Sequence, residues 1–170
     1  VNATTAVRKV GGRTLPPSSS SPLRRGHSGT GLDFSDSSPD IFISLRFDET
    51  MDEAKALQAA LKERGMSSFI CEVAPGADIK TTVIERLDQC KLAIVMGSKT
   101  YGMGTVNFSP LEEMEYIVNE KKPLFLIKMC DRYEEARTRF NFGASVSYVP
   151  WSVGTPMPDD LTDRVVQKLR

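Results

Sequence analysis

The strongest candidate for chemistry is a carboxylate cluster, Glu112, Glu113 and Glu115, in the first turns of a predicted helix. The helix follows an apolar strand, Leu92 to Gly97, and a glycine-containing loop, Ser98 to Ser109. The strand shows no polar/apolar alternation, which indicates a central parallel strand with both faces covered. Because ligands of open parallel sheets bind beyond the carboxyl ends of the strands, we predict the functional site in this loop and the acidic helix start.

Helix geometry favours Glu113 among the three glutamates. At about 100° per residue, Glu112 points nearly opposite the apolar face, and it is predicted to be a solvated charge. Glu113 and Glu115 lie on the two borders of that face, where a carboxylate can reach a cleft while its stem packs on the core. The alternative for all three is a favourable acidic first turn, usually worth under ~1 kcal/mol. The apolar face consists of Leu111, Met114, Ile117 and Val118.

The positions of histidine and cysteine argue against several kinds of chemistry. The only histidine, His27, lies in a segment rich in serine, proline and glycine. This argues against a Ser-His-Asp or Cys-His catalytic arrangement and against a metal site that needs imidazole. Cys71, Cys90 and Cys130 stand beside apolar runs without Cys-x-x-Cys spacing. We therefore predict no metal site, and we interpret the cysteines as reduced thiols of a cytoplasmic domain.

Length and composition predict one ordered domain with a tail. Of the 170 residues, 22 are Lys or Arg and 22 are Asp or Glu, so no basic excess indicates a nucleic-acid partner. No apolar run approaches the roughly 20 residues of a membrane-spanning helix. Residues 1–39 are predicted to be a disordered Ser/Pro/Gly-rich linker, with a docking or phosphorylation segment as the alternative. Residues 40–170 are predicted to form the domain.

The positioning scaffold is predicted to be five strands that alternate with five helices. Alternation with short connections indicates a parallel sheet covered on both sides. We predict a flavodoxin-like three-layer α/β fold, with a five-stranded parallel sheet of order 2-1-3-4-5 and helices on both faces. The predicted strands are Ile41 to Leu45, Ser67 to Cys71, Leu92 to Gly97, Leu124 to Met129 and Ser145 to Trp151. The predicted helices start at Glu49, after Asp78, after Ser109, at Tyr133 and at Pro158.

Four short motifs, in order and with matching spacing, resemble the Toll/interleukin-1 receptor (TIR) domain family. The resemblance covers about Asp40 to Arg170, which is the whole predicted domain. Each motif is weak alone, and their order makes the match specific. The motifs are the strand Asp40 to Arg46, the strand Ser68 to Ile70 followed by Pro75-Gly76, the strand end Ser98 to Tyr101, and the aromatic Trp151 near the last strand.

The resemblance implies a role in signal transduction of the innate-immunity or cell-death type, through association with other TIR domains. Some members also cleave NAD+ at the nicotinamide–ribose bond, using a glutamate in the helix after the third strand. Aligning that helix places the glutamate at Glu113. NAD+ is then the substrate, and no cofactor is expected. A non-enzymatic adaptor is the alternative, and a nucleotide-sugar or deoxyribosyl transferase with the same glutamate as nucleophile is a third.

A single carboxylate suffices for the chemistry that the resemblance implies. Nicotinamide leaves NAD+ as a neutral molecule, so little acid catalysis is needed. Positive charge builds up on the ribose instead, and a carboxylate in a water-excluded site stabilises it. Glu113 can do this without histidine or metal.

The same resemblance suggests which residues would hold the substrate and the partner. Arg46, Phe47, Ser98 and Tyr101 are predicted to bind NAD+, with Arg46 on a phosphate. The alternative for Arg46 is a salt bridge with Asp48 or Glu49, and for Ser98 it is a strand-end turn. Pro75 and Gly76 are predicted to shape an assembly contact, or to be a simple turn. Trp151 is predicted to pack in the core rather than to stack on a ligand.

Overall fold

The protein is described by a computed structural model that covers residues 39–72, 78–104 and 109–170. Strands and helices alternate along these residues, beginning with a strand. The strands are β1 (Ile41–Leu45), β2 (Ser68–Ile70), β3 (Leu92–Gly97), β4 (Leu124–Lys128) and β5 (Tyr148–Pro150). The helices are α1 (Phe47–Glu63), α2 (Ile79–Gln89), α3 (Pro110–Asn119), α4 (Ala136–Asn141) and α5 (Leu161–Leu169). The predicted linker, residues 1–39, lies outside this description except for Pro39, and stays a prediction.

The five strands form one sheet of order β2-β1-β3-β4-β5, and every neighbouring pair is parallel. This confirms the predicted flavodoxin-like fold class. Helices α1 and α5 pack on one face of the sheet. Helices α2 and α3 pack on the other face, together with side chains near α4. Every residue of β1 and β3 is buried, as their largely apolar sequences predicted.

The two outer strands are shorter than predicted. β2 contains three residues rather than the five from Ser67 to Cys71, and β5 contains three rather than the seven from Ser145 to Trp151. Each outer strand pairs with a neighbour on one side only, and the pairing extends over three of the five residues of that neighbour. Residues of β5 alternate between an exposed and a buried side chain, whereas those of β1 and β3 do not.

Three helix starts also differ from the predicted ones. Arg46 to Asp48 was predicted to be a loop, but α1 begins at Phe47, because the carbonyl oxygen of Arg46 accepts hydrogen bonds from the amides of Glu49 and Thr50, both at 3.0 Å. α4 begins at Ala136 rather than Tyr133, and Glu135 caps it by accepting from the Arg137 amide at 3.1 Å. α5 begins at Leu161 rather than Pro158.

The prediction for α2 is confirmed at its start. The Asp78 carboxylate accepts from the backbone amides of Lys80 at 3.1 Å and Thr81 at 3.3 Å, which satisfies two donors that a helix N-terminus leaves free. Among the helices of the described residues, none has both the length and the apolar composition that crossing a bilayer requires.

Candidate active site

Glu113 lies in the first turn of α3, and its side chain points to the sheet. Pro110 opens the helix after the N-cap residue Ser109, and this start directs Glu113 towards β1. There the hydroxyl of Ser44 donates a hydrogen bond to Oε2 of Glu113. Ser44 shares a face of β1 with Phe42, because successive strand residues point to opposite faces. Only 6 % of Glu113 is exposed, so its carboxyl group lies inside the domain.

Tyr101 completes a chain of three polar side chains around this carboxyl group. Its hydroxyl lies 2.6 Å from the Ser44 hydroxyl, within hydrogen-bond distance, and the residue is fully buried. The hydroxyl of Thr138 holds the Tyr101 backbone by donating to its carbonyl oxygen at 2.8 Å. Tyr101 and Glu113 therefore meet through Ser44, which joins the loop after β3 to the start of α3.

Burial has the largest effect on the pKa values of the titratable side chains in and around this hydrogen-bonded chain. It raises the pKa of Glu113 to about 8, and the nearby charge of Glu112 adds to the rise, while the hydrogen bond from Ser44 opposes it. Burial, and then the charge of Glu113, also raise the pKa of the Tyr101 hydroxyl and bring the pKa of the Cys71 thiol to about 12. Burial therefore favours the protonated form of Glu113 in this closed arrangement.

The two neighbouring glutamates have structural partners. Glu112 was predicted to be a solvated charge, but it forms a capping box, because its carboxylate accepts from the Ser109 amide at 2.9 Å and from the Ser109 hydroxyl. Glu115 lies on the exposed side of α3 and forms a salt bridge of 2.7 Å with Arg137. The two border positions thus differ, since Glu113 faces the sheet and Glu115 faces solvent.

The predicted substrate-binding residues fall into different environments at the carboxyl end of β1 and β3. The Arg46 guanidinium is exposed and donates to the carbonyl oxygen of Met103 at 3.0 Å, which connects the segments that follow these strands. Phe47 is 44 % exposed. Ser98 and Tyr101 are buried. The structure therefore brings Tyr101, but not Arg46, Phe47 or Ser98, into the hydrogen-bonded chain with Glu113.

Ser98 lines a separate cavity of about 320 Å³ at the same edge of the sheet. Glu49 contributes its carboxylate, which accepts from the Thr100 amide at 3.2 Å and the Thr100 hydroxyl at 2.9 Å. Met129 belongs to the core on the α1 side of the sheet. Glu113 lies in the first turn of α3, which packs on the opposite side. The cavity is lined by Glu49, Ser98, Lys99, Met129 and Val153.

The remaining predicted positions lie elsewhere. Pro75 and Gly76 lie outside the described residues, so the assembly contact stays a prediction. Trp151 is 3 % exposed and packs in the core as predicted, and its indole N–H donates to the Thr155 carbonyl oxygen at 3.0 Å. Within the described ranges, no three side chains of His, Cys, Asp or Glu converge as a metal ion would require.

Ser44 is a residue of this site for which no role was predicted from the sequence. It was noted only as part of a strand motif. A signal was present, because Ser44 is the one polar residue of an otherwise apolar strand, Ile41–Leu45. A hydroxyl at such a buried position needs a hydrogen-bond partner, and in this fold Glu113 and Tyr101 provide it.

The end of β3 is packed tightly against Tyr133. A Cβ atom added at Gly97 would lie 2.5 Å from the Tyr133 hydroxyl oxygen, closer than nonbonded atoms approach. We expect Gly97→Ala to lower the free energy of unfolding by about 1–3 kcal/mol, measured by urea denaturation. Gly104→Ala is the matched control, because a Cβ at Gly104 meets nothing within 4 Å. Equal stability of the two variants would contradict this packing.

Comparison with solved structures identifies the fold. The TIR domain of the Toll-related receptor TRR-2 from Hydra magnipapillata aligns with a TM-score of 0.52 at 12 % identity, over 66 % of this chain and 84 % of that chain. The domain has a TIR-like fold. The resemblance predicted from the sequence motifs is thereby confirmed at the level of the fold.

Two further solved structures also align with this TIR-like domain. The CMP N-glycosidase BcmB from Clostridium botulinum aligns with a TM-score of 0.50 at 14 % identity, over 75 % of this chain and 97 % of that chain. The TIR domains of the activated Roq1 resistosome align with a TM-score of 0.49 at 25 % identity, over 60 % of this chain and 64 % of that chain. No protein-family model and no curated protein matches the sequence.

Proposed function

We propose that the TIR-like domain acts in signal transduction through association with other TIR domains, and that it cleaves NAD+ at the nicotinamide–ribose bond. The observation that carries the proposal is the buried Glu113 carboxyl group, held by Ser44 at the carboxyl end of the central strands. The similarity in fold to a TIR domain and to a CMP N-glycosidase supports it, because the latter enzyme also acts on an N-glycosidic bond of a nucleotide.

In this mechanism the Glu113 carboxylate stabilises the positive charge that develops on the ribose. Nicotinamide departs neutral with the electron pair of the C–N bond, so the transition state carries its positive charge on the sugar. A water molecule then bonds to the anomeric carbon and loses a proton to solvent, which completes the hydrolysis. A carboxylate in a site that excludes water stabilises such charge more than it would in solvent. Burial favours the protonated form of Glu113, but the arrival of the cationic nicotinamide ring of NAD+ favours the ionised form and lowers the pKa of Glu113 again.

The proposed substrate must first gain access to Glu113, which is 6 % exposed. We propose that association with a second copy opens the packing around this residue, so that activity depends on protein concentration. Arg46, Phe47 and Ser98 remain the proposed contacts to the dinucleotide. Tyr101 is proposed to act as a positioning residue, because its hydroxyl contacts Ser44 rather than an open surface.

A second candidate reaction is the cleavage of a nucleotide whose base is uncharged, such as CMP. The pKa of about 8 favours it, because a protonated Glu113 can donate a proton to a departing base that is not already cationic. The two reactions predict opposite pH profiles. With NAD+, kcat/KM should rise as the pH rises through about 8, whereas with CMP it should fall over the same range.

The deciding experiment incubates the full chain at increasing concentration with NAD+ or with CMP. Free nicotinamide and cytosine are quantified by chromatography, and association is followed by light scattering. Nicotinamide release that increases more than linearly with protein concentration supports the NAD+ reaction. Cytosine release alone supports the second candidate. Association without release of either base would leave the adaptor function and overturn both enzymatic proposals.

We also propose that the domain works in a reducing compartment such as the cytoplasm. Cys71, Cys90 and Cys130 are free thiols, and Cys71 and Cys90 are buried in the core. Disulfides are rare in reducing compartments, which is consistent with this state.

A further inference from the structure

A second cavity, of about 410 Å³, lies where β4, β5 and α4 meet. Its volume falls within the roughly 300–1,000 Å³ of small-molecule pockets. β5 lies three strand positions from β1 in the sheet, a separation of roughly 14 Å. None of the residues that line the cavity belongs to the hydrogen-bonded chain of Glu113, Ser44 and Tyr101, so the two sites are distinct. Its charged and aromatic lining residues include Lys128, Arg132, Arg139, Phe142 and Tyr148.

The shortness of the local elements explains why this cavity exists. α4 has only six residues, so helical cover on this face of the sheet is limited next to β5. Lys128 is the last residue of β4 and pairs with Pro150, while Tyr148 is the first residue of β5. Val149 points into the core on the other face, so Tyr148 points to the α4 side, where 48 % of it is exposed.

The lining carries more positive than negative charge. The ammonium of Lys128 lies 5.1 Å from the centroid of the Tyr148 ring, and Arg139 donates to the backbone carbonyl oxygens of Tyr133 at 2.9 Å and Glu134 at 2.6 Å. Arg132 is exposed. In the described part of the chain none of these three cations forms a salt bridge, whereas Arg64, Arg137 and others do.

Asp131 is the one acidic residue of the lining, so three cations and one carboxylate leave a net charge of +2. Tyr133 also lines the cavity, but its hydroxyl is buried against Gly97 at the end of β3 and is therefore not counted among the ligand-binding groups. The net positive charge of the lining favours a negatively charged ligand.

We propose that this cavity binds a nucleoside monophosphate. Lys128 and Arg132 would bind the phosphate, since ammonium and guanidinium groups form charge-assisted hydrogen bonds with phosphate oxygens. The half-exposed ring of Tyr148 would contact the base, because any base can stack on an aromatic side chain. Arg139 is held by two carbonyl oxygens and fixes the positive edge of the cavity. The proposal does not depend on an enzymatic role of Glu113.

The test is calorimetric titration of the full chain with AMP, with adenosine and inorganic phosphate as partial probes. We expect AMP to bind more tightly than either probe, and Lys128→Gln or Arg132→Gln to weaken AMP binding about tenfold each. Tyr148→Leu should weaken AMP binding but not phosphate binding. Lys168→Gln, an exposed cation on α5, is the matched control and should bind AMP as the wild type does.

Glu113→Gln separates this site from the proposed catalytic site. Unchanged AMP affinity in this variant, together with losses in Lys128→Gln and Arg132→Gln, supports the proposal. Three outcomes would overturn it: no AMP binding by the wild type, equal affinity for AMP and inorganic phosphate, or loss of AMP binding in Glu113→Gln with normal binding in Arg132→Gln. Thermal denaturation of each variant verifies that it is folded.

Discussion

Glu113→Gln is expected to reduce nicotinamide release from NAD+ by about a hundredfold to a thousandfold. Glutamine has nearly the same shape and can accept the hydrogen bond from Ser44, so the packing of α3 on β1 is preserved. It cannot become an anion, and it therefore cannot stabilise a ribosyl cation by charge. Initial rates are compared at equal degrees of association, so that a change in assembly does not pass for a change in chemistry.

Glu115→Gln is the matched control for this experiment. Glu115 is in the same helix, two residues away, but its carboxylate is exposed and paired with Arg137. Its loss should leave the rate within about twofold of the wild type, because surface ion pairs contribute little. A wild-type rate in Glu113→Gln, together with a large loss in Glu115→Gln, would show that the wrong border position was chosen.

The stability of the domain is expected to fall as the pH rises from about 5 to about 8, because of the same carboxyl group. Burial raises the pKa of Glu113 to about 8 in the folded state, from an ordinary value of 4.5. Between these values the folded domain keeps a proton that the unfolded chain releases. The stabilising contribution is thus complete below pH 4.5 and is lost as the pH rises through about 8. The expected slope is about 1.4 kcal/mol per pH unit.

Urea denaturation of the wild type and of Glu113→Gln at several pH values between about 5 and 8 measures this contribution. Other titrating groups are common to both proteins, so their effects cancel in the difference between the two free energies of unfolding. We expect that difference to change by about 1.4 kcal/mol per pH unit, with the variant gaining relative stability as the pH rises. Parallel pH profiles would show that Glu113 is already ionised in the folded domain.

The fold was predictable from the sequence because its central elements carry strong local signals. The apolar run of β3, and that of β1 with Ser44 as its one polar residue, indicated strands covered on both faces, and both strands are fully buried. The outer strands lacked such a signal, because backbone pairing with a single neighbour, and not a side-chain pattern, sets their ends, and each pairs with only three residues of that neighbour. The start of α1 was missed for a similar reason, since it depends on the Arg46 carbonyl oxygen, whose direction no side-chain pattern reports.

The candidate site was predictable only in part. The border position of Glu113 on α3 could be read from the helical repeat, but its burial depends on Ser44 and Tyr101, which lie 69 and 12 residues earlier in the chain. Contacts at such separations are not encoded in a local pattern. The role of Glu112 could have been predicted from the sequence. A serine followed three residues later by a glutamate, here Ser109 and Glu112, is the signature of a capping box.

The three-residue lengths of β2 and β5 have a consequence for a domain that is proposed to work by crowding its copies together. Each outer strand offers a backbone ladder only about 10 Å long. Segments that build amyloid spines are usually six or seven residues long. Copies brought to high local density would therefore find little strand backbone to pair with at β2 or β5, and would associate mainly through side-chain surfaces, which can separate again. A signal that depends on such gathering can then be switched off by dilution.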